Sequence, residues 1–466
     1  MDSDVTDSQV QTEGRELGAA MVALAAFGAL CVAALIFRPL LMEPDDYAYN
    51  ASIIAITHGH LFTLTTAQAQ ALTAGLPQPA GGLLGIGAPV QWVQLSDGRW
   101  ISEKDPGYPY LAAPFQLLGL IRLAPLFYGA LGCGGLYLGA RRWLGRFGGA
   151  AAVGLYCSSG AALFFAWRDY MPTFTEASLI AAGIGVLLWA VLAVEHSDVR
   201  RTVAGLAGFA ALECAAFVRY TDFVVLGCAV VAVYVVGLVR EARVPRMAVL
   251  WWVGSVLVFG AAVALFNDAV YGAPLASGYR PGEISFALGA VPDNLKYMPA
   301  HLIEAMPVLV LAFAALVWIV WRRVRLSGGD GEFDSLARRD FAVGLSLAVA
   351  WFSIWGLYAA YTWTTVPLST MQVVRFYVPA IGAIALLAAW LVVRVRRRAL
   401  VGVLAAVLLV AFGLGLPSFD AMRGTTIGPR SPSVLPSAQP SSALIGAAAG
   451  GEGRIRPAGA SAQGSK

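Results

Sequence analysis

Residues 18–47 read GAAMVALAAFGALCVAALIFRPLLMEPDDY, an apolar run that ends at Leu41 and passes at once into Glu43-Pro44-Asp45-Asp46-Tyr47. About 20 apolar residues in helical form cross roughly 30 Å of hydrocarbon. The run is therefore a membrane span, and it pins two adjacent carboxylates where a membrane helix meets water. Charge is costly to hold at that depth. An acidic pair there, followed by a long polar loop containing Glu103-Lys104-Asp105-Pro106, marks a functional site by default.

Working outward, further apolar windows of spanning length fall near 122–140, 148–167, 176–194, 202–218, 222–239, 247–266, 301–321, 341–361, 376–393 and 399–416. With 58% hydrophobic and 13% charged residues, the chain lies far from the soluble average of about a quarter charged. It reads as all-α: a polytopic transmembrane helical bundle of about eleven spans, with amphipathic interfacial helices and a long first extracytoplasmic loop. The length of the first window and the acidic start (Asp2, Asp4, Asp7) fit a retained span rather than a cleaved signal.

Orientation follows from the loops, because cytoplasmic connections carry the excess of Lys and Arg. Arg141, Arg142 and Arg146 follow span two, Arg200 and Arg201 span four, and Arg240, Arg243 and Arg246 span six. Arg322, Arg323, Arg325, Arg338 and Arg339 follow span eight, and Arg394, Arg396, Arg397 and Arg398 span ten. Every second loop is basic, which puts the amino terminus inside and residues 42–107, 267–300, 362–375 and the tail outside. The expected organisation is a cytoplasmic tail over 1–17, a transmembrane domain over 18–416 with a functional extracytoplasmic loop over 42–121, and a disordered Ser-, Pro-, Ala- and Gly-rich tail over 417–466. The charge pattern is spent on topology, and no nucleic-acid partner is expected. Arg far above Lys, with abundant Ala and Gly, points to a GC-rich bacterial genome and hence a bacterial plasma membrane. Cys31, Cys133, Cys157, Cys214 and Cys228 all fall within spans without zinc-like spacing, and read as small buried residues rather than a disulfide framework.

The first outer loop has internal signals. Pro44 opens a helix and Asp45 and Asp46 suit its positive start, so 45–57 reads as an amphipathic helix along the interface. Thr65 to Val90 lacks a period and reads as a mobile lid. Gln91–Leu95 and Arg99–Ser102 read as two strands about the Asp97-Gly98 turn, delivering Glu103-Lys104 to the membrane surface. Gly107 to Gly119, with Tyr108, Tyr110 and Phe115, reads as a second interfacial helix.

The topology collects Asp45, Asp46, Glu103, Lys104, Asp105, Arg168, Asp169, Glu176, Arg219, Asp222, Asp268, Arg280 and Arg375 at outer span ends. Carboxylates beside cations suit a reaction in which a base removes a proton while cations neutralise a departing phosphate. Arg engages two phosphate oxygens with its planar fork, and Lys acts as a point charge. Each group also has a purely structural reading: a helix cap for Asp45 or Asp46, a surface ion pair for Glu103-Lys104 worth about 0–1 kcal/mol, and an anchor with its partner for Arg168-Asp169. The four histidines are scattered over both sides, against a histidine-based site.

Several of these stretches, in this order, resemble the C-type (GT-C) membrane glycosyltransferases, nearest the protein O-mannosyltransferase and lipid A aminoarabinose transferase branch. They are Asp45-Asp46, Glu103-Lys104-Asp105-Pro106-Gly107-Tyr108-Pro109, Arg168-Asp169-Tyr170-Met171-Pro172 and Phe217-Val218-Arg219-Tyr220-Thr221-Asp222. Asn267 to Leu275 with Ser277-Gly278-Tyr279, and Arg375-Phe376-Tyr377-Val378-Pro379, extend the resemblance over 20–395. The resemblance implies inverting transfer of a sugar from a polyprenyl-phosphate carrier to a glycan, lipid or protein acceptor on the outer face. It implies Asp45 or Asp46 as base, Lys104 on the carrier phosphate, Arg280 in the loop that supplies a phosphate-binding arginine, and Glu103 and Asp169 as acids that could hold a divalent metal ion; in the mechanism read from these residues, one or two of Arg219, Arg280 and Arg375 join Lys104 on the departing phosphate. Asp105 departs from the family's Lys-Pro-Pro. The alternative from another class is a secondary transporter or lipid flippase. Against it stand charges at outer helix ends rather than mid-depth, and the lack of paired broken helices in matching halves.

Overall fold

The structure is a computed structural model that describes residues 3–36, 41, 43–60, 63–76, 88–237, 244, 246–279, 285–325, 332–365, 370–395 and short pieces of 406–417. Its helices are α1 (Ser3–Ile36), α2 (Pro44–Thr57), α3 (Thr66–Gly75), α4 (Gly107–Leu117), α5 (Ala124–Leu144), α6 (Arg146–Cys157), α7 (Gly160–Trp167) and α8 (Thr173–Leu192). They continue as α9 (Asp198–Val218), α10 (Phe223–Gly237), α11 (Arg246–Tyr271), α12 (Val291–Ala305), α13 (Leu309–Arg325), α14 (Glu332–Ala359), α15 (Thr370–Val374) and α16 (Ile381–Val395). Three short strands, β1 (Thr63–Leu64), β2 (Trp92–Gln94) and β3 (Trp100–Ser102), form one antiparallel sheet in the order β1-β3-β2. The chain divides into two compact units, the first comprising Met1–Pro39, Arg122–Phe259 and Phe286–Ile427, the second Leu40–Ile121, Gly260–Ser285 and Gly428–Lys466.

The first unit is the helical bundle. Among the described residues six helices, of which α11 ends in the second unit, are long and apolar enough to cross a membrane, or up to eight spans if each of two bent pairs counts as one. Ten of the eleven expected windows coincide with a helix or bent pair, two of them as the shorter apolar helices Tyr220–Val233 and Val378–Arg394. The window 399–416 lies mostly outside the described residues, as does the expected disordered tail. Two windows that read as continuous are broken: α6 and α7 meet at 63°, and Leu288–Ala305 meets α13 at 107°.

At the centre of the unit α5 packs on α8 through small residues. A Cβ on Gly135 would lie 2.6 Å from Ala182, and one on Gly185 2.1 Å from the Gly135 carbonyl oxygen. Helices in lipid gain no hydrophobic drive from meeting each other, and close backbone approach is what small residues allow. α8 is accordingly almost entirely buried, with α16 packed against it and α6.

The second unit contains the first outer loop. The helix expected over 45–57 forms as α2, but without the exposed polar face of an amphipathic one: Asp46, Ala48, Tyr49, Asn50, Ala51, Ser52, Ile53 and Ala55 are buried and its other residues are half-buried. Its small residues pack against α4, and Tyr49 meets Tyr108 edge to face at 5.7 Å. The helix with a one-sided apolar stripe is instead α12, where Asn294, Met298, Leu302 and Ala305 are buried at helical spacing. The hairpin forms as expected, with Val93 opposite Ile101 and Gln94 opposite Trp100. One face carries Trp92 and Trp100 into a core with Ala51, Ala55 and Leu64, and the other carries Val93 and Ile101 onto Tyr271. Both faces are covered, so a strand pair of only three residues each is held by packing rather than by its own ladder. The stretch expected to be a mobile lid contains α3, capped by Thr65, whose side chain accepts from the Gln68 amide while Gln68 returns a bond to the Thr65 N–H. Residues 77–87 lie outside the described residues.

Candidate active site

The two adjacent aspartates do different things. Asp46 closes the start of α2: its Oδ2 accepts from the Glu43 amide at 2.9 Å and completes a capping box. Only 1% of the residue remains exposed. One turn position earlier, Asp45 projects elsewhere, and its Oδ1 lies 2.9 Å from the Lys104 Nζ, with 17% of the Asp45 side chain exposed. The local geometry follows from sequence: Pro44 starts the helix where its missing N–H is not needed, and consecutive residues on a first turn point about 100° apart.

Lys104 is delivered by the end of β3. The Glu103 amide donates to the Gln91 carbonyl at 2.8 Å, and the Lys104 amide to the Ser102 Oγ at 3.1 Å, which fixes the chain direction into α4. The ammonium sits 5.1 Å from the centre of the Tyr279 ring and 3.5 Å from its hydroxyl. Gly278 makes this possible, since a Cβ there would lie 2.3 Å from the Ser102 carbonyl oxygen and 2.7 Å from the Glu103 Cα. Burial works against the ammonium, but the Asp45 carboxylate, with Tyr49 and Glu103 nearby, more than offsets it and holds Lys104 above the usual lysine range. Glu103 and Asp105 are both buried beside this lysine in sequence, and Asp105 lies within electrostatic reach of Tyr271.

In the bundle unit a second set of polar residues gathers. Glu176, wholly buried in the first turn of α8, pairs with Arg219 at 3.1 Å. The Arg219 guanidinium also lies 5.5 Å from the Phe376 ring, and Arg375 lies 4.8 Å from the same ring and 5.0 Å from that of Trp363. Tyr358, Tyr361 and Trp363 surround Phe376, and the Tyr358 hydroxyl bonds Thr221 at 2.7 Å. Asp222 is buried in the turn between α9 and α10. Arg168 and Asp169 are both buried between α7 and α8, Arg168 over Phe164 and Asp169 3.9 Å from Arg122. Arg122 also donates to the Ala34 and Leu35 carbonyls, tying the end of α1.

Of the expected site residues, Asp45, Asp46, Glu103 and Lys104 lie in one unit and Asp169, Arg219 and Arg375 in the other. Arg280 lies outside the described residues, and Asp268 is exposed on α11. Glu103 and Asp169, expected as metal acids, belong one to each unit. Among the described residues no group of three or more His, Cys, Asp or Glu could hold a metal ion.

Sequence reasoning missed four participants: Tyr279 on Lys104, Arg122 on Asp169, the aromatic group around Phe376, and a polar trio of His301, Thr370 and Glu304. In the trio the Thr370 Oγ1 bonds the His301 Nδ1 and the Glu304 Oε2, each at 2.8 Å. The aromatic density of 351–377 was the available signal for the third. The others join residues about 45 to 175 positions apart and leave no local trace.

No family model matches the chain, and no curated protein matches its sequence. Solved structures do match. ArnT from Cupriavidus metallidurans bound to undecaprenyl phosphate superposes with a TM-score of 0.55 at 17% identity, covering 89% of this chain and 78% of that one. Its apo state gives 0.54 at 17% identity, with coverage of 90% and 78%. The Archaeoglobus fulgidus oligosaccharyltransferase in the apo form gives 0.48 at 11% identity, with coverage of 88% and 57%. By its likeness to ArnT over most of both chains, this protein shares the ArnT fold.

Proposed function

We propose that this protein is a polyprenyl-phosphate-dependent glycosyltransferase that works with inversion on the outer face of the membrane. The observation that carries the reading is the ion pair between the buried Lys104 and the half-buried Asp45, with Tyr279 over the lysine. The same fold in ArnT, whose structure is bound to undecaprenyl phosphate, supports the carrier class.

Asp45 is the base of choice over Asp46. Asp46 is committed to the α2 cap and is 1% exposed, whereas the Asp45 carboxylate retains accessible surface. In the reaction the Asp45 carboxylate takes the acceptor hydroxyl proton and the hydroxyl oxygen bonds the anomeric carbon. The bond from that carbon to the phosphate oxygen breaks, and its electron pair leaves on the phosphate, beside the Lys104 ammonium. Donor phosphate and Asp45 share Lys104, so phosphate binding loosens the ion pair and frees the carboxylate for the proton. An apolar cavity of about 70 Å³ between α8, α10 and α14, lined by Leu187, Val225, Cys228 and Leu347 among others, suits part of a lipid chain.

The experiment is transfer from a polyprenyl-phosphate sugar by purified wild type, Asp45→Asn and Asp46→Asn. Loss of turnover in Asp45→Asn with normal protein level is the expected result. Full turnover in both variants removes the base assignment.

A further inference from the structure

The bundle unit has two polar ends, and only one of them holds Glu176, Arg219 and Arg375. α14 reaches both: Tyr358 stands at that end, while Arg339 and Asp340 lie about 19 residues earlier, roughly 28 Å away by helical rise. At the Asp340 end the connections after α5, after α13 and after α16 converge. The buried Asp340 carboxylate accepts from Trp143 Nε1 at 3.0 Å, from Arg394 at 2.7 Å and from Arg322 at 3.4 Å.

Beside this knot lies a cavity of about 610 Å³ whose described lining includes Arg141, Arg146, Arg339, Arg394, Trp143 and Phe147, and no acidic residue. Ligand pockets commonly enclose roughly 300–1,000 Å³, so the space is large enough for a ligand. Basic residues at this end are expected from the alternation of loop charge alone. That rule supplies arginines, which ordinarily reach outward, but it does not supply a cavity between four of them.

Two further features favour an anion. The Arg339 Nε is buried without a hydrogen-bond partner in the structure, and a buried unsatisfied guanidinium donor is costly unless something accepts from it. α6 also begins at this cavity, at Gly145, whose φ of +80° ends α5 and starts α6 at a single residue. Gly145 has no side chain to cap the first N–H groups of α6, and such groups with the positive end of the helix dipole favour phosphate.

We propose that this cavity is a binding site for a phosphate-bearing anion, with Arg146, Arg339 and the first amides of α6 on its oxygens and Arg394 oriented by Asp340. It is separate from the Asp45–Lys104 site and does not depend on the transfer reaction. The phosphate could be carried by a lipid headgroup or be free in solution.

The test uses the full chain in phosphatidylcholine nanodiscs, with dioctanoyl phosphatidylglycerol and inorganic phosphate as separate probes. Binding is followed by native mass spectrometry and titration for wild type, Arg146→Gln/Arg339→Gln, and Arg200→Gln as a control that removes one charge at an exposed site, as Arg141→Gln does in the cavity. Arg141→Gln, on an exposed side chain of the same cavity, covers the case in which the double variant does not fold. Affinity for at least one probe should fall about tenfold or more in the cavity variants and stay unchanged in the control. Binding of the lipid alone identifies a headgroup, and binding of inorganic phosphate identifies a soluble ligand. If neither probe binds wild type, or if Arg200→Gln weakens binding as much as the cavity variants, the proposal is overturned.

Discussion

Asp45 and Asp46 are neighbours whose side chains meet different fates, and the difference sets the first prediction. Asp46→Asn weakens a helix cap, and loss of such a cap costs about 1 kcal/mol. It should therefore lower thermal stability modestly and leave residual transfer, whereas Asp45→Asn should abolish transfer at near-normal stability. Thermal unfolding in detergent, run beside the transfer assay, separates the two. Lys104 gives a second prediction. Its ammonium is held above the usual lysine value of about 10.4, so the charge is fully present below that pH and is lost only as pH rises through the still higher folded value. Donor affinity attributable to Lys104 should be flat between pH 6 and 9, and Lys104→Met should reduce it over the whole window. A pH titration of donor binding in both proteins checks this. At this scale the sequence identified the acidic pair and the lysine by their position after a span. It could not divide roles between two adjacent acids, because that depends on which one the cap consumes. Nor could it join Tyr279 to Lys104, about 175 positions away, a contact made through the close approach at Gly278.

Among the elements, the long apolar windows were legible because hydrophobic length is a physical requirement of crossing lipid. The amphipathic reading of 45–57 failed because an acidic start and recurring apolar positions describe a buried helix of small residues as well as an interfacial one. Ala48, Ala51, Ser52 and Ala55 leave no polar face to lie in water. The hairpin was legible through Asp97-Gly98, and its partner strand Thr63–Leu64 was too short to register. Element packing carries a third prediction. Gly278→Val places side-chain atoms where the Ser102 carbonyl and Glu103 backbone already are, so it should displace Tyr279 from Lys104 and raise the KM for donor more than it alters thermal stability. Steady-state kinetics with a melting curve would show this. A fourth concerns the start of α8. Glu176→Gln leaves Arg219 without its buried partner, and breaking such a pair costs about 3–5 kcal/mol. The variant should lose folded yield and melt earlier, and Glu176→Gln with Arg219→Met should recover part of the loss.

For the whole molecule, the polar residues of the bundle unit fall into separate groups. The arginines after α5, α13 and α16 meet at Asp340, Arg142 and Arg201 reach the carbonyls that end α8, and Glu176, Arg219 and Arg375 stand away from them. The span count was less legible, since a bend of 107° between helices leaves a hydropathy window unbroken. The transferase reading rests on a chemical claim: Asp45 and Lys104 together move a sugar off a lipid phosphate. The most direct measurement is release of polyprenyl phosphate from a polyprenyl-phosphate sugar by the purified protein with envelope acceptors, compared with Asp45→Asn and Lys104→Met. The account predicts release by wild type, none above background by Asp45→Asn and a severe loss in Lys104→Met. Equal release by all three proteins, or none by well-folded wild type across a panel of polyprenyl-phosphate sugars, would contradict it.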